Sequence, residues 1–384
     1  MSYAGDRFIC DADSHLMELG DFLTSHCPAE DAHRLADLAG LLQGQFAPQA
    51  FATGSGHDAA TVRELLALGD QITRGPKWHQ ALGAFHGPER SRALDLMGFA
   101  RQVVFSSFCA GLIFRSPEDV AYTTAQAHNR AMASFCQGDA RLYGVAMAPL
   151  QNVPRTINLI EEALNLGLKG IWIGADAPGG RSPGHPAHDP IWQLLASRRA
   201  PFILHVGSAP INIDDAWMND GNPQAASARG GAEVIGSKDL TVIHHAAQRF
   251  ISALVLDGVL ERFPDLKGGI IEIGAGWVPD MIRRLDHAVS IWARSEPQLA
   301  AMTRPPSEQI RAQLRFTPYP FEDVGQIVSE SNADLYLFSS DYPHAEGGRD
   351  PIGRFLNTTE RLSETERDKF FGTNFSTLWG AVDP

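Results

Sequence analysis

The sequence predicts an α/β chain, and within that class a (β/α)8 TIM barrel. Three observations lead there. Eight short apolar runs rich in β-branched residues recur along the 384 residues. Segments with helical apolar spacing separate most of them. No G-x-G-x-x-G follows an early strand, which weighs against the alternative of an open doubly wound sheet. Strands alternating with helices imply parallel pairing through right-handed crossovers.

In chain order the strand runs are 7–15 (RFICDADSH), 101–108 (RQVVFSSF), 142–150 (LYGVAMAPL), 167–176 (GLKGIWIGAD), 200–208 (APFILHVGS), 266–276 (LKGGIIEIGAG), 313–320 (QLRFTPYP) and 334–344 (DLYLFSSDYPH). Between the second and third, PEDVAYTTAQAHNRAMASFCQ opens on Pro117 and two acids, which suit a helix N-terminus. VPRTINLIEEALNLG closes on Gly167, a helix exit. AQRFISALVLDGVLERFPDL has helical spacing and stops at Pro264. Residues 20–90 and 209–240 break the alternation. Insertions after barrel strands lie at the C-terminal face, where active sites form, so a cap after strand one and a long loop after strand five are expected to form a lid. The whole chain, 1–384, then reads as one barrel domain.

Composition narrows the partners. Hydrophobic residues make up 44% and charged residues 20%, ordinary for a globular enzyme. The net charge of −13 argues against nucleic acid and anionic membranes. No apolar run reaches the roughly 18 residues that span a bilayer, and MSYAGDRF does not read as a signal peptide. Cys10, Cys27, Cys109 and Cys136 are widely spaced, as free thiols of a reducing compartment would be. A cytoplasmic homodimer acting on a small molecule is expected.

The chemistry sits at the strand ends. Asp11, Asp13 and His15 recur at every second position, so a strand sends all three to one face. Burying such groups unpaired costs several kcal/mol or more. His205 ends the fifth run, Glu272 falls between Ile271 and Ile273 late in the sixth, and Asp341 lies in LFSSDYPH near the end of the eighth. In a barrel all these ends converge. A divalent ion there would neutralise the buried acids, and histidine with carboxylate suits zinc, iron or manganese. Zinc is expected first, as one ion or two. Asp11, deeper on the strand, is expected to orient a ligand histidine or the strand backbone. Taken singly, His205 also reads as a hydrogen-bonded core histidine and Asp341 as a loop cap.

The D-x-D-x-H stretch, RALDLMGFARQVVF, LGLKGIWI, ILHVG, GVLERFPDLK and FSSDYPH together resemble the amidohydrolase-related family. That branch of the amidohydrolase superfamily includes aminocarboxymuconate-semialdehyde decarboxylase. The resemblance runs from about residue 7 to GTNFSTLWG. It implies a metal-dependent (β/α)8 barrel that hydrolyses or decarboxylates small molecules. It also implies Asp13 and His15 as the first-strand ligand pair, His205 as the fifth-strand ligand, and Asp341 as a ligand and general base. The sequence departs from the family twice. Ile273 stands where relatives carry a catalytic histidine, with Glu272 one position earlier, expected as an acid/base group or an extra ligand, beside His245 and Asp341 as the other catalytic candidates. Lys169 comes too early in its run to become a bridging carboxylated lysine.

Of the tandem His244-His245, only one can reach a pocket from a helix, and His245 is the expected one. His344 is a further ligand candidate. His26, His33, His57, His79, His86, His128, His185, His188 and His287 are expected at the surface. Three activities fit. The first is metal-assisted hydrolysis of an amide, ester or lactone, with Asp341 taking the proton. The second is non-heme iron oxygen chemistry, mono- or dinuclear, with Glu272 as an extra ligand. The third is non-oxidative decarboxylation of an aromatic or enol acid. A binding protein on a decayed barrel would have lost ligands that this chain keeps. Phe46, Phe51, Trp78, Phe85 and Trp217 suit either a partly apolar pocket or the cap's own core, and Arg115, Arg181 and Arg229 are candidates to meet an anionic group.

Overall fold

The computed structural model describes residues 2–18, 21–33, 35, 56–211, 213–221 and 235–382. Seven strands, β1 (Cys10–Leu16), β2 (Arg101–Ser106), β3 (Leu142–Ala148), β4 (Gly170–Ile173), β5 (Phe202–His205), β6 (Gly268–Ile271) and β7 (Leu314–Phe316), form one parallel sheet in chain order. Each strand is shorter than its apolar run, and every strand residue except Arg101 and Tyr143 is buried. The helices that join them include α1 (Gly87–Met97), α2 (Cys109–Phe114), α3 (Glu118–Cys136), α4 (Val153–Asn165), α5 (Asp189–Arg198), α6 (His245–Leu256) and α7 (Val278–Trp292). The fold is TIM-barrel-like.

The eighth run does not become a regular strand. Tyr336 bridges to Phe316 of β7, and Tyr342 bridges to Ser14 of β1. Ala12 and His15 donate their backbone N–H groups to Phe338 and Tyr342 carbonyls (3.0 and 2.8 Å), and Asp341 N–H donates to Asp13 O (2.9 Å). Residues 336–342 thus link the two edges of the sheet. A side chain replaces part of the ladder: Asp11 accepts the Ser340 backbone N–H (2.8 Å) and hydroxyl (2.6 Å), with Gln102 Nε2 at 2.8 Å. Asp11 therefore fastens strand backbone and touches no site histidine.

The pairing of β1 with β2 shifts register between Asp11 and Ser14. Such bulges bend a strand and re-aim its side chains beside active sites. Close approach matters also at β5–β6, where a Cβ on Gly268 would lie 2.2 Å from the Phe202 ring. Only glycine lets these strands run together, and their ends carry His205 and Glu272.

The two expected insertions are described in part. Residues 36–55 and 222–234, with Phe46, Phe51 and Arg229, lie outside the described residues. Trp217 is exposed, Phe85 packs on His57 at 4.8 Å, and Arg181 is exposed. Among the described residues no helix is long and apolar enough to cross a membrane.

Candidate metal centre

Asp13, His15, His205 and Glu272 meet at the C-terminal ends of β1, β5 and β6. Asp13 Oδ1 lies 3.4 Å from both His15 Nε2 and His205 Nε2. Glu272 Oε2 lies 3.5 Å from His15 Nε2 and 3.3 Å from His205 Nε2. Four ligand-type atoms thus form a ring with edges of 3.3–3.5 Å. Asp341 Oδ1 adjoins it, 3.5 Å from His15 Nε2 and 3.1 Å from His344 Nδ1. His15 and His344 stack with centroids 3.9 Å apart. A second overlapping group, His15, Glu272, Asp341 and His344, also gathers its ligand atoms within 4.8 Å.

These spacings fit a missing central cation better than direct ion pairs. Charge-assisted N–H···O bonds close to about 2.7–2.9 Å. Ligand atoms about 2.1 Å from a shared ion stand roughly 3.0–3.4 Å apart at octahedral to tetrahedral angles. The far side of each ring agrees. His15 Nδ1 is 3.0 Å from Ser106 O, and His205 Nδ1 is 3.0 Å from Val206 O. A carbonyl only accepts, so each Nδ1 carries a proton and each Nε2 is the nitrogen turned toward the carboxylates. His15 Nε2 and Asp341 Oδ1 are both buried without a hydrogen-bond partner.

Without a cation the cluster must redistribute protons. Burial pushes the Asp341 carboxyl well above the usual range, reinforced by the Glu272 charge. Burial works against the Asp13 charge too, but His15 and His205 outweigh it and hold Asp13 at about 2. His15 is raised well above its ordinary value, since Asp13 and Glu272 overcome its burial. Burial takes His344 well below its ordinary value. Glu272 (φ 54°) and Asp341 (φ 53°) both adopt left-handed backbone. For a non-glycine residue that costs about 1 kcal/mol or more. It aims two carboxylates at one point.

Residues with no conspicuous sequence signal hold this arrangement. Glu18 accepts the backbone N–H groups of Ser107 (3.1 Å), Phe108 (3.2 Å) and Cys109 (3.3 Å) and the Ser106 hydroxyl. It therefore fixes the turn whose Ser106 carbonyl orients His15. Arg90 is fully buried and donates to Gly83 O (2.7 Å), Ser14 Oγ (3.2 Å) and the His15 carbonyl. Trp78 lies against the His344 ring at 4.6 Å. A cavity of about 650 Å³ opens above, lined by His15, Ser107, Trp172, His205, Glu272 and His344 among others. Phe108, Arg115, Asp239 and Glu346 also line it. Glu346 is open to solvent overall, yet partial burial of its carboxyl, with the Glu272 charge, pushes it up to about 7.

Several expected positions differ. His245 opens α6 at the surface and lines a neighbouring cleft with Ile211 and Arg249, outside the cluster. His244 is the more enclosed of the pair and stacks on Trp277 at 5.4 Å. Among the histidines assigned to the surface, His128 and His188 are buried. His57 pairs with Glu89 at 2.6 Å. Ile273 is buried in the hydrophobic core.

A parallel sheet with histidines and carboxylates at its C-terminal strand ends defines a class of barrel enzymes. Within that class the chain belongs to the amidohydrolase family, whose model matches residues 104–380. The fold is similar to that of an amidohydrolase from Mycobacterium avium subsp. paratuberculosis K-10, with TM-score 0.72 and 20% identity over 98% of this chain and 100% of that one. It is similar to 2,6-dihydroxybenzoate decarboxylase from Rhizobium, with TM-score 0.61 and 19% identity over 97% and 98% of the two chains. A third relative is 5-carboxyvanillate decarboxylase from Novosphingobium aromaticivorans DSM 12444, complexed with manganese, with TM-score 0.66 and 16% identity over 99% and 98%. At these identities the likeness is one of fold. No curated protein matches the sequence.

Proposed function

We propose that the protein is a metal-dependent carboxy-lyase that removes CO2 from a small hydroxylated aromatic or enol acid. The observation that carries this reading is the ring of Asp13, His15, His205 and Glu272, with imidazole Nε2 atoms turned into a cage of carboxylates. These four would hold a divalent ion, manganese or zinc by donor type. Such an ion supplies a Lewis acid that holds a carboxylate and an adjacent oxygen. The decarboxylase relatives support loss of CO2 over the hydrolysis that the sequence suggested first.

The chain's own residues supply the rest. Trp172 and Phe108 line the cavity with aromatic surface for a flat ring. Arg115 lines it too, placed for a second anionic group on the substrate. Glu346 lines the cavity as well, a carboxyl that burial raises above its ordinary value. As the bond to the carboxylate breaks, its electron pair stays on the ring carbon, CO2 departs, and Glu346 protonates that carbon. Pro210, Ile211, Ile235 and Asp239, from the segment after β5, would act as a lid on the cavity wall.

The test is CO2 release from 2,6-dihydroxybenzoate and 5-carboxyvanillate by purified protein reconstituted with manganese. Release that chelation abolishes is expected. Cleavage of ester or lactone substrates with no CO2 from any hydroxybenzoate would replace this reading with the hydrolytic one.

A further inference from the structure

We propose that the cleft beside the cavity receives the far end of the substrate, an aliphatic arm that ends in a carboxylate or another small anion. This rests on reading the cavity as the place where a hydroxylated aromatic acid binds. The cavity, about 650 Å³, and the cleft, about 430 Å³, both have Pro210 and Ile211 in their walls. The stretch around the short helix Ser237–Val242 borders both as well: Ile235 and Asp239 face the cavity, Val242 and Ile243 the cleft. The two spaces therefore adjoin along the segment after β5. The cavity alone is within the range that holds a whole drug-sized ligand, so a single ring leaves the cleft unused.

The walls of the cleft say what it would take. Pro210, Ile211, Val242, Ile243 and Ala246 offer apolar surface to a hydrocarbon chain. Opposite them, His245, Gln248, Arg249 and Ser252 recur at i, i+3, i+4 and i+7 of α6, so one face of that helix lines the cleft with groups able to donate. The Ser252 hydroxyl is spent on the Gln248 carbonyl at 2.7 Å. The Arg249 side chain makes no ion pair or hydrogen bond among the described residues, although Asp176 feels its charge. No acid among the described residues lines the cleft, and the first turn of α6 carries none. Asp239, on the adjoining wall, already accepts the Gly236 N–H at 2.6 Å.

In a chain of net charge −13, an unpaired guanidinium at the end of an apolar recess is a specific attraction for an anion. Its forked donors match a carboxylate or phosphate. Arg115 lines the cavity and Arg249 the cleft, so the two meet different parts of one molecule.

The deciding experiment titrates the full-length, manganese-loaded protein by calorimetry. The ligands are 2,6-dihydroxybenzoate and its derivatives with a straight chain of two to eight carbons at position 4, ended either by carboxylate or by the methyl ester of that carboxylate. At one chain length the acid-ended arm should bind about tenfold or more tighter than its ester, as expected for hydrogen bonds to a charged group. Arg249→Gln should bring that ratio close to one. Equal binding of acid and ester at every length would overturn the proposal and leave the cavity's own reading standing. A ratio unchanged in Arg249→Gln would overturn the assignment to the cleft in favour of Arg115. Inorganic phosphate that binds the unaltered protein but not Arg249→Gln, with no preference between acid and ester, would give the cleft to a free anion and overturn the substrate arm. If neither the unsubstituted acid nor any derivative binds, the reading of the cavity falls and the arm with it.

Discussion

Among the described residues two places bring histidine against buried carboxylate, and they are built oppositely. At Glu89, both ring nitrogens of His57 face acceptors: Glu89 Oε2 at 2.6 Å and the His79 carbonyl at 3.0 Å. Glu89 also accepts the His57 backbone N–H at 2.7 Å. This pair is closed, because an imidazolium satisfies every atom in it. At the strand ends the far nitrogens of His15 and His205 are already taken by carbonyls, and the near ones stand 3.3–3.5 Å from carboxylate oxygens. That cluster is open. Proximity of histidine to carboxylate therefore does not mark a metal centre. In both places the other nitrogen meets a carbonyl, so it is the width of the gap to the carboxylate that marks it.

The contrast breaks most sharply in turnover. Glu272→Gln keeps shape and removes a charge from the open cluster, and should cost on the order of a hundredfold or more in steady-state rate. Near-normal turnover in this variant would make Glu272 a space filler. Metal content comes next. His205→Ala should retain roughly a tenth or less of the bound metal, measured by elemental analysis, whereas Glu89→Gln should retain all of it. Equal losses in the two variants would erase the distinction.

Chelation should sharpen the comparison by calorimetry. At about a hundredfold excess over Kd an ion adds about 2.7 kcal/mol. With unfolding entropy of about 2.1 cal/mol/K per residue, that is a Tm change of roughly 3 °C for this chain. Glu89→Gln should lower the baseline Tm and leave the chelation shift intact.

The smallest effect is in pH. The Glu89 hydrogen bond raises His57, and His57 outweighs burial to lower Glu89. The raised His57 contributes fully below its unfolded value of about 6.5 and is lost as pH rises through its folded value. The lowered Glu89 contributes fully above about 4.3 and is lost as pH falls through its folded value. Urea unfolding should therefore find the gap between the parent and Glu89→Gln wider at pH 6 than at pH 9. A gap independent of pH would mean that His57 is uncharged in the folded protein.

Sequence by itself determined the alternation of strands and helices, because burial periodicity is a local property. It also determined that Asp13, His15, His205, Glu272 and Asp341 lie late in the first, fifth, sixth and eighth runs, and these residues gather. It misjudged His245, since a helical step of 100° says which neighbours diverge but not which one faces inward. It also missed the regular eighth strand's absence, because Asp11 competes for Ser340 through side-chain bonds. The tertiary structure alone decided the chemistry of each ring. His15 meets the carbonyl of Ser106 across 91 positions, and His344 meets Ser107 across 237. Glu18 and Arg90, ordinary charges in the sequence, hold Ser106 from 88 positions away and the His15 carbonyl from 75. Which nitrogen faces the carboxylates, and across what gap, depends on partners that no local pattern brings near, so only the folded chain distinguishes an open cluster from a closed pair.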